Sequence, residues 1–433
     1  MSVALLLWSG LTAAAAPALR LLLRRRAVCG KEIADRLAER RGIDATPRPP
    51  GTLIWLHAAS VGEAMSILPV LCELRAAAPA VHVLLTTGTV TSARLLAERL
   101  PALGLHKYVS HRFLPLDVPI WVTRFLDHWK PDVAGFVESE LWPNLLAGCR
   151  RRRIPMLLIN ARLSARSFAR WRRLPGLITP MLSAMTDVQA QSQVDAHRFR
   201  ALGAAGVSVP GNLKFAAPAL PVDDAELARL RALLAGRPAW IAASTHPGEE
   251  AAIFAAHHDL AARHAGLLTI LAPRHPERGA AIAAEARAAD LTATRRSLGE
   301  PPPPAGVWIA DTLGELGLFY RLAPIAFVGR SLIAPGGGQN PLEPARLGCA
   351  VAAGPHVGNF PDAVAVLEQA GALARVADAA GLAAWVDAML RAPDQRAAMG
   401  LAGAAACARH GELPARLARD LLALAGAGSM RAA

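Results

Sequence analysis

The chain has 433 residues, of which 53% are hydrophobic and 19% charged. That apolar fraction excludes a disordered chain, and the length calls for two or three domains of about 100–200 residues. The formal net charge of +13 is one-sided: residues 1–214 hold 28 Lys and Arg against 14 Asp and Glu, and residues 215–433 hold 19 against 20. A positive field confined to the first half implies an anionic partner there, namely membrane, phosphate or nucleic acid; the plain alternative is a solvated basic surface.

At the N-terminus, residues 3–23 are apolar apart from Ser9, Gly10, Thr12 and Arg20, and Arg24, Arg25 and Arg26 follow. Charge after the apolar run, instead of before it, argues against a cleaved signal peptide. The run barely reaches the ~20 residues a span needs, so it crosses a bilayer or lies in its surface, with residue 24 onward in the cytoplasm by the positive-inside rule; the plain alternative is a buried helix of a soluble protein. Residues 24–41 read as a charged helix and residues 47–50 as a Pro-rich linker. Apolar runs at 53–56, 81–86, 133–137 and 156–159, with a helix over 62–78, then predict βαβ units and a parallel sheet covered on both faces. The alternation restarts after residue 215, with strands at 239–243, 267–271, 307–309, 325–327 and 350–352. The stretch 213–224, with Pro218 and Pro221, reads as an interdomain linker, and the charge balance changes at the same place. The expected organisation is an apolar segment (1–23), a basic helix and linker (24–50), and two α/β domains (51–215 and 216–433). Five cysteines (Cys29, Cys72, Cys149, Cys349, Cys407) are scattered and form no CxxC. Neither a zinc site nor a disulfide framework is indicated, and a reducing compartment fits.

Ligands of open α/β sheets bind where strands end, and three loops stand out there. In His57-Ala58-Ala59-Ser60-Val61-Gly62-Glu63, Ser60 and Glu63 have the spacing of a capping box, and Glu63 also suits a general base at the mouth of a cleft. In Glu138-Ser139-Glu140-Leu141-Trp142-Pro143-Asn144, two carboxylates follow the run 133–137. The loop RSLIAPGGGQNPLE, residues 330–343, puts three glycines before Asn340 and Pro341, a helix start suited to phosphate. No GxxxxGK[ST] and no GxGxxG after the first strand is present, which disfavours a P-loop NTPase or a Rossmann dehydrogenase. Arg274 follows the run 267–271 and suits a phosphate clamp. Residues 150–173 hold nine arginines and no acid, with thin aromatic interleaving (Phe168 and Trp171), so lipid phosphates explain them as well as nucleic acid does.

Ten motifs occur in one order: HAASVGE, TTGTVTSARLL, LPLDVP, ESELWPNLL, NARLSARS, GNLKF, ASTHPGEE, APRHPERG, DTLGELG and GGGQNPLEPA. Together they resemble the Kdo (3-deoxy-D-manno-octulosonic acid) transferases of lipopolysaccharide synthesis, from the N-terminal apolar segment to beyond Phe360. The resemblance implies an α/β GT-B fold, two Rossmann-like domains facing a cleft, with an N-terminal membrane-associated helix at the cytoplasmic face of the cell inner membrane. It implies CMP-Kdo as donor and lipid IVA, a bisphosphorylated acylated disaccharide, as acceptor. It further implies anionic inner-membrane lipids as partners, inverting transfer without metal or cofactor, and no nucleic acid.

Carried over residue by residue, Glu63 resembles the family's general base, and Glu138 and Lys214 its transition-state stabilisers. Pro273 and Arg274, then Leu313, Gly314 and Glu315, then Asn340, Pro341, Leu342 and Glu343, match its CMP contacts. Arg162 and Arg166 are candidates for the acceptor phosphates. The chain departs from the family pattern at Gln339 (His), Ala216 (Asp), Leu116 (Tyr) and Arg330, where a second glycine is usual. Two alternatives remain: a GT-B transferase using another nucleotide sugar on a lipid acceptor, and a non-enzymatic anion- or nucleic-acid-binding membrane protein, which leaves the acid-rich loops unexplained.

Overall fold

The computed structural model describes residues 2–216, 219–409 and 411–432. The chain forms two compact units, one of Met1–Ala217 with His410–Ala433 and one of Pro218–Arg409. Residues 217 and 218 of the expected linker lie outside the described residues.

Unit 1 is built on seven strands: β1 (Leu53–His57), β2 (His82–Thr87), β3 (Val109–Phe113), β4 (Val133–Val137), β5 (Met156–Ala161), β6 (Asp187–Ala190) and β7 (Val207–Ser208). They pair in parallel in the order β3-β2-β1-β4-β5-β6-β7. Helices cover both faces, so the central strands LIWLH and VAGFV are buried throughout. Alternate residues serve opposite layers: Leu53 and Trp55 join one core cluster, Ile54 and Leu56 the other. Gly135 is required by this packing, because a Cβ there would lie 2.5 Å from Ile159 Cδ1 and 2.7 Å from Leu56 Cδ2.

Unit 2 repeats the scheme with β8 (Ala239–Thr245), β9 (Leu268–Pro273), β10 (Ala293–Arg295), β11 (Gly306–Ile309), β12 (Ile325–Val328), β13 (Ala350–Ala353) and β14 (Leu373–Arg375). Its parallel order is β10-β11-β9-β8-β12-β13-β14. In both sheets the strand order reverses beside the first strand, between β1 and β4 in unit 1 and between β8 and β12 in unit 2. Such a switch point opens a crevice at the strands' carboxyl ends.

Three expectations are corrected. Residues 24–41 are not one helix: the helix Ala16–Val28 ends before Gly30, and two 3₁₀ turns, Ala34–Arg36 and Glu39–Arg41, follow. They are hydrogen-bonded onto the loops of the sheet: buried Arg40, paired with Glu32 at 3.0 Å, donates to Gly88 O at 2.6 Å and to Leu114 O at 3.2 Å. Residues 47–50 are likewise packed, since Arg48 donates to Trp129 O at 2.8 Å and pairs with Asp132. Finally, the end of the chain does not stay with unit 2. The helix Leu413–Ala432 returns to unit 1, where Leu413, Leu417, Ala418, Leu421 and Ala425 enter the cluster of Ile67 and Leu71, and Gln189 donates to Asp420 at 3.0 Å. Its apolar stripe reads the same whichever sheet it covers.

The N-terminal apolar segment is two helices, Val3–Ala14 and Ala16–Val28, bent by 56°. Among the described residues no single helix is long and apolar enough to cross a membrane; the bent pair passes that test only when joined. The first helix is fixed to unit 1 by polar contacts: Ser2 Oγ to Gly176 O at 2.6 Å, Trp8 Nε1 to Asp117 at 2.8 Å, and Ser9 Oγ to Asn144 at 2.5 Å.

Candidate active site

In unit 1 the loops after β1 and β4 flank the switch point. Ser60 caps the helix Val61–Ala77 by accepting the Glu63 amide at 3.3 Å. The Glu63 carboxylate reaches back to the amide of Ala59 (2.8 Å), the residue before the cap, and to the Ser60 hydroxyl (2.7 Å), a variant of the capping box in which the amide is taken one residue earlier. Glu63 is therefore locked in place and only 8% exposed. Burial pushes its carboxyl above the ordinary range; the Ser60 and Ala59 hydrogen bonds pull it back, and the charges of Glu138 and Glu140 push it up again. Those two charges act on Glu63 because all three acids converge at the ends of β1 and β4.

Lys214 Nζ lies 2.7 Å from Glu138 Oε1, an ion pair. The lysine comes from the loop after β7 and is held from below: Asn160 Oδ1 accepts the Leu213 amide, Asn212 Oδ1 accepts the Lys214 amide, and Gln191 accepts from Asn212. Glu140 receives the Trp142 indole at 2.7 Å and faces buried His57 Nε2 at 3.2 Å, while His57 Nδ1 abuts Thr86 at 3.0 Å. Burial alone would raise the Glu140 carboxyl, but His57 and Trp142 hold it below the ordinary range. Arg162 is half-buried after β5, its carbonyl accepting the Ser139 hydroxyl, and Arg166 is exposed on the short helix Ala165–Trp171.

In unit 2 the loops after β8, β9, β11 and β12 carry the motif residues. Glu249, 1% exposed, binds four backbone amides with its two oxygens: His246 (3.0 Å) and Arg330 (2.6 Å) on one, Ser331 (2.9 Å) and Leu332 (3.0 Å) on the other. It thereby staples the loop after β8 to the glycine-rich loop after β12. Neither spacing nor composition marks Glu249, whose one signal in the sequence is its place as an acid in the loop motif ASTHPGEE. Gly329 is needed where those loops touch, since a Cβ would meet Ser244 O at 2.7 Å.

Arg274 follows β9 with an exposed side chain and its amide on Thr245 O at 3.1 Å. Leu313 is 84% exposed and Gly314 has φ +83°. Glu315 is committed to Arg296 (2.7 and 3.2 Å) and to Thr312, and its carboxyl is held low by Arg296 first. Asn340 caps Leu342 at 3.1 Å and donates to Glu343 at 3.2 Å. Burial raises the Glu343 carboxyl, against Asn340 and the charges of Arg274 and Arg346. The helix that starts here, Leu342–Arg346, has five residues, and with its Leu342 amide taken by Asn340 and prolines at 341 and 344 it offers an anion few amides and little macrodipole. Among the described residues no group of three His, Cys, Asp or Glu is arranged to hold a metal ion.

Two Rossmann-like units, each with ionisable residues at the carboxyl ends of a parallel sheet, define the GT-B class of fold. Solved structures share the fold at low identity. A UDP-GlcNAc 2-epimerase from Neisseria meningitidis matches 86% of this chain and 99% of its own, with TM-score 0.58 and 14% identity. A glycosyltransferase from Rickettsia africae matches 86% and 99%, with TM-score 0.54 and 12% identity.

A family model described as 3-deoxy-D-manno-octulosonic-acid transferase (kdotransferase) matches residues 35–217. The chain is 37% identical over 376 residues to the probable mitochondrial 3-deoxy-D-manno-octulosonic acid transferase of Arabidopsis thaliana, covering 85% of this chain and 83% of that one. It is 37% identical over 378 residues to the 3-deoxy-D-manno-octulosonic acid transferase of Haemophilus influenzae, covering 85% and 86%. The chain belongs to the 3-deoxy-D-manno-octulosonic acid transferase family, whose activity serves lipopolysaccharide biosynthesis.

Proposed function

We propose that the protein transfers Kdo from CMP-Kdo to lipid IVA by an inverting, metal-independent displacement. One observation carries this reading: Glu63, Glu138 and Lys214 lie together at the switch point of unit 1, with Glu63 held by its cap and raised by burial. A carboxylate with an elevated pKa is suited to take a proton from a sugar hydroxyl near neutral pH. The acceptor hydroxyl gives its proton to Glu63 as its oxygen attacks the anomeric carbon. The bond from that carbon to the phosphate oxygen breaks, CMP leaves, and configuration inverts. Lys214, oriented by its pair with Glu138, stabilises the charge that develops.

In unit 2, Pro273 and Arg274, residues 313–315 and residues 340–343 hold CMP. The Glu315 carboxylate is already occupied by Arg296 and Thr312. This segment therefore meets the nucleotide through its main chain and the exposed Leu313. Because the helix at 342 is so short, Arg274 is assigned most of the phosphate charge. Exposed Val3, Leu6, Leu7, Leu11, Leu21 and Leu22, with exposed Arg20, Arg24 and Arg25, seat the protein on anionic lipid at the cytoplasmic face of the inner membrane. Arg162 and Arg166 meet the acceptor phosphates.

Incubation with CMP-Kdo and lipid IVA in anionic vesicles, read by product mass, is the direct test, and an acceptor mass unchanged overturns the reading. Glu63→Gln keeps the capping geometry, since glutamine serves at that position, and should cut turnover by about 10²-fold or more without weakening CMP binding. Stabilisation of the protein against heat by UDP and not by CMP would replace the donor.

A further inference from the structure

Among the described residues, eight non-glycines have positive φ: Lys130, Glu138, Arg153, Asn160, Ala235, Ser244, Asp290 and Arg330. Lys130, Arg153, Ala235 and Asp290 directly follow helices, where a left-handed residue is an ordinary way to stop. The other four sit at the carboxyl ends of β4 and β5, on one side of the switch point of unit 1, and of β8 and β12, which flank that of unit 2. Glu138 already belongs to the candidate site. Asn160 and Ser244 lie at register shifts in β5 and β8, and Asn160 supports the Lys214 loop. Only Arg330 is unaccounted for.

Its backbone is over-determined. The Arg330 amide is fixed on Glu249 at 2.6 Å and its carbonyl accepts Gly338 at 2.7 Å, holding φ at +55°. A glycine would take this conformation without strain, whereas an L side chain there is disfavoured. The side chain is exposed, and among the described residues its guanidinium has no carboxylate partner. The contrast with the same face of unit 2 is sharp: Arg278 is paired with Glu250, Arg295 with Asp311, and Arg296 with Glu226 and Glu315. Strain retained around an unneutralised cation points to a ligand.

The surroundings fit an anion. The His246 and Arg330 amides share one Glu249 oxygen, so the two residues are neighbours across the switch point. The His246 ring lies 6.0 Å from that of His275, the residue after Arg274. The Ser331 and Leu332 amides are consumed by Glu249, and Gly338 and Gln339 donate to Arg330 O and Gly329 O. The loop therefore has few main-chain donors left for a phosphate, and cationic side chains must supply the attraction. Burial, and then the charge of Arg330 among smaller effects, keep His246 below the ordinary imidazole range, so the guanidinium carries the positive charge of this pair.

We propose that Arg330 is a phosphate contact for the nucleotide donor, acting beside Arg274. This rests on the reading that unit 2 binds a CMP-activated sugar. The test is titration calorimetry of the full-length protein with CMP, UDP and cytidine. Arg330→Gly removes the charge and relieves the left-handed backbone, so its melting temperature should equal or exceed that of the parent. It should bind CMP about tenfold more weakly, the scale of a lost charged hydrogen bond, and bind cytidine unchanged.

Arg330→Lys should recover part of the CMP affinity. Wild-type CMP affinity in Arg330→Gly overturns the contact and leaves the transferase reading intact. A parent protein that binds UDP and not CMP overturns the donor, and Arg330 is then judged by the same comparison on UDP. A parent that binds neither nucleotide removes both readings.

Discussion

Two opposing influences meet on the Glu63 carboxylate. It closes the variant capping box with Ala59 and Ser60, yet burial and two neighbouring acids lift its pKa above the ordinary 4.5. The sign of the consequence follows from which state binds the proton more tightly. Here it is the folded state, so the stability contributed by protonated Glu63 is complete below 4.5 and is lost as pH rises through the folded value. Glutamine cannot ionise. The melting-temperature difference between Glu63→Gln and the parent should therefore become more positive from about pH 4 to about pH 8. A pH-independent difference would show that the carboxyl titrates as it does in the unfolded chain.

A raised carboxyl is not by itself a mark of chemistry. Burial also raises Asp117, against its hydrogen bonds from Trp8, Asn144 and Leu145, and Asp117 has the structural task of joining the first helix to the start of the helix Pro143–Arg151. The spacing of Ser60 and Glu63 was legible in the sequence. The convergence of Glu140 and Glu138 on Glu63 was not, because 75 or more residues separate them along the chain.

Among the elements, every strand expected from an apolar run is present, because a strand buried on both faces must be apolar throughout. The strands that escaped are short, polar or marginal: VSHRF of β3, DVQA of β6, and β7, β10 and β14. Four of these five form the edges of the two sheets, where one neighbour and partial burial relax the demand for apolar side chains. The C-terminal helix gives a test at this scale. Leu421 is fully buried in unit 1, so Leu421→Ala should lower stability to denaturant by about 2–5 kcal/mol. CMP affinity should be unchanged, since the proposed nucleotide loops belong to unit 2. A loss below about 1 kcal/mol would mean that the helix is only loosely held.

For the molecule as a whole, the excess of positive charge belongs to the part of the chain that forms most of unit 1, as does the bent, apolar N-terminal helix pair. The proposed seat on an anionic bilayer rests on these two features, which would act by independent forces, apolar burial and charge. Co-sedimentation should show binding to vesicles containing phosphatidylglycerol and weaker binding to phosphatidylcholine alone, with the difference shrinking as salt is added. Changing exposed Leu6 and Leu7 to Glu should release the protein from both without altering its melting temperature. Retention of the double variant on vesicles would assign the attraction elsewhere.

By itself the sequence determined the α/β class, the strands of both sheet centres, the change of character near residue 215 and the order of the family motifs. Each is written locally, in apolar runs, glycine positions and spacings of a few residues. Only the tertiary structure decided that the last helix covers the first unit, that residues 24–50 are bound down by Arg40, Glu32 and Arg48, that Glu249 joins two loops, and that Arg330 is held left-handed with an unpaired charge. The reason is common to all four. Each depends on which groups far apart in the chain share a carboxylate or an apolar surface, and one-dimensional patterning carries no record of such partners.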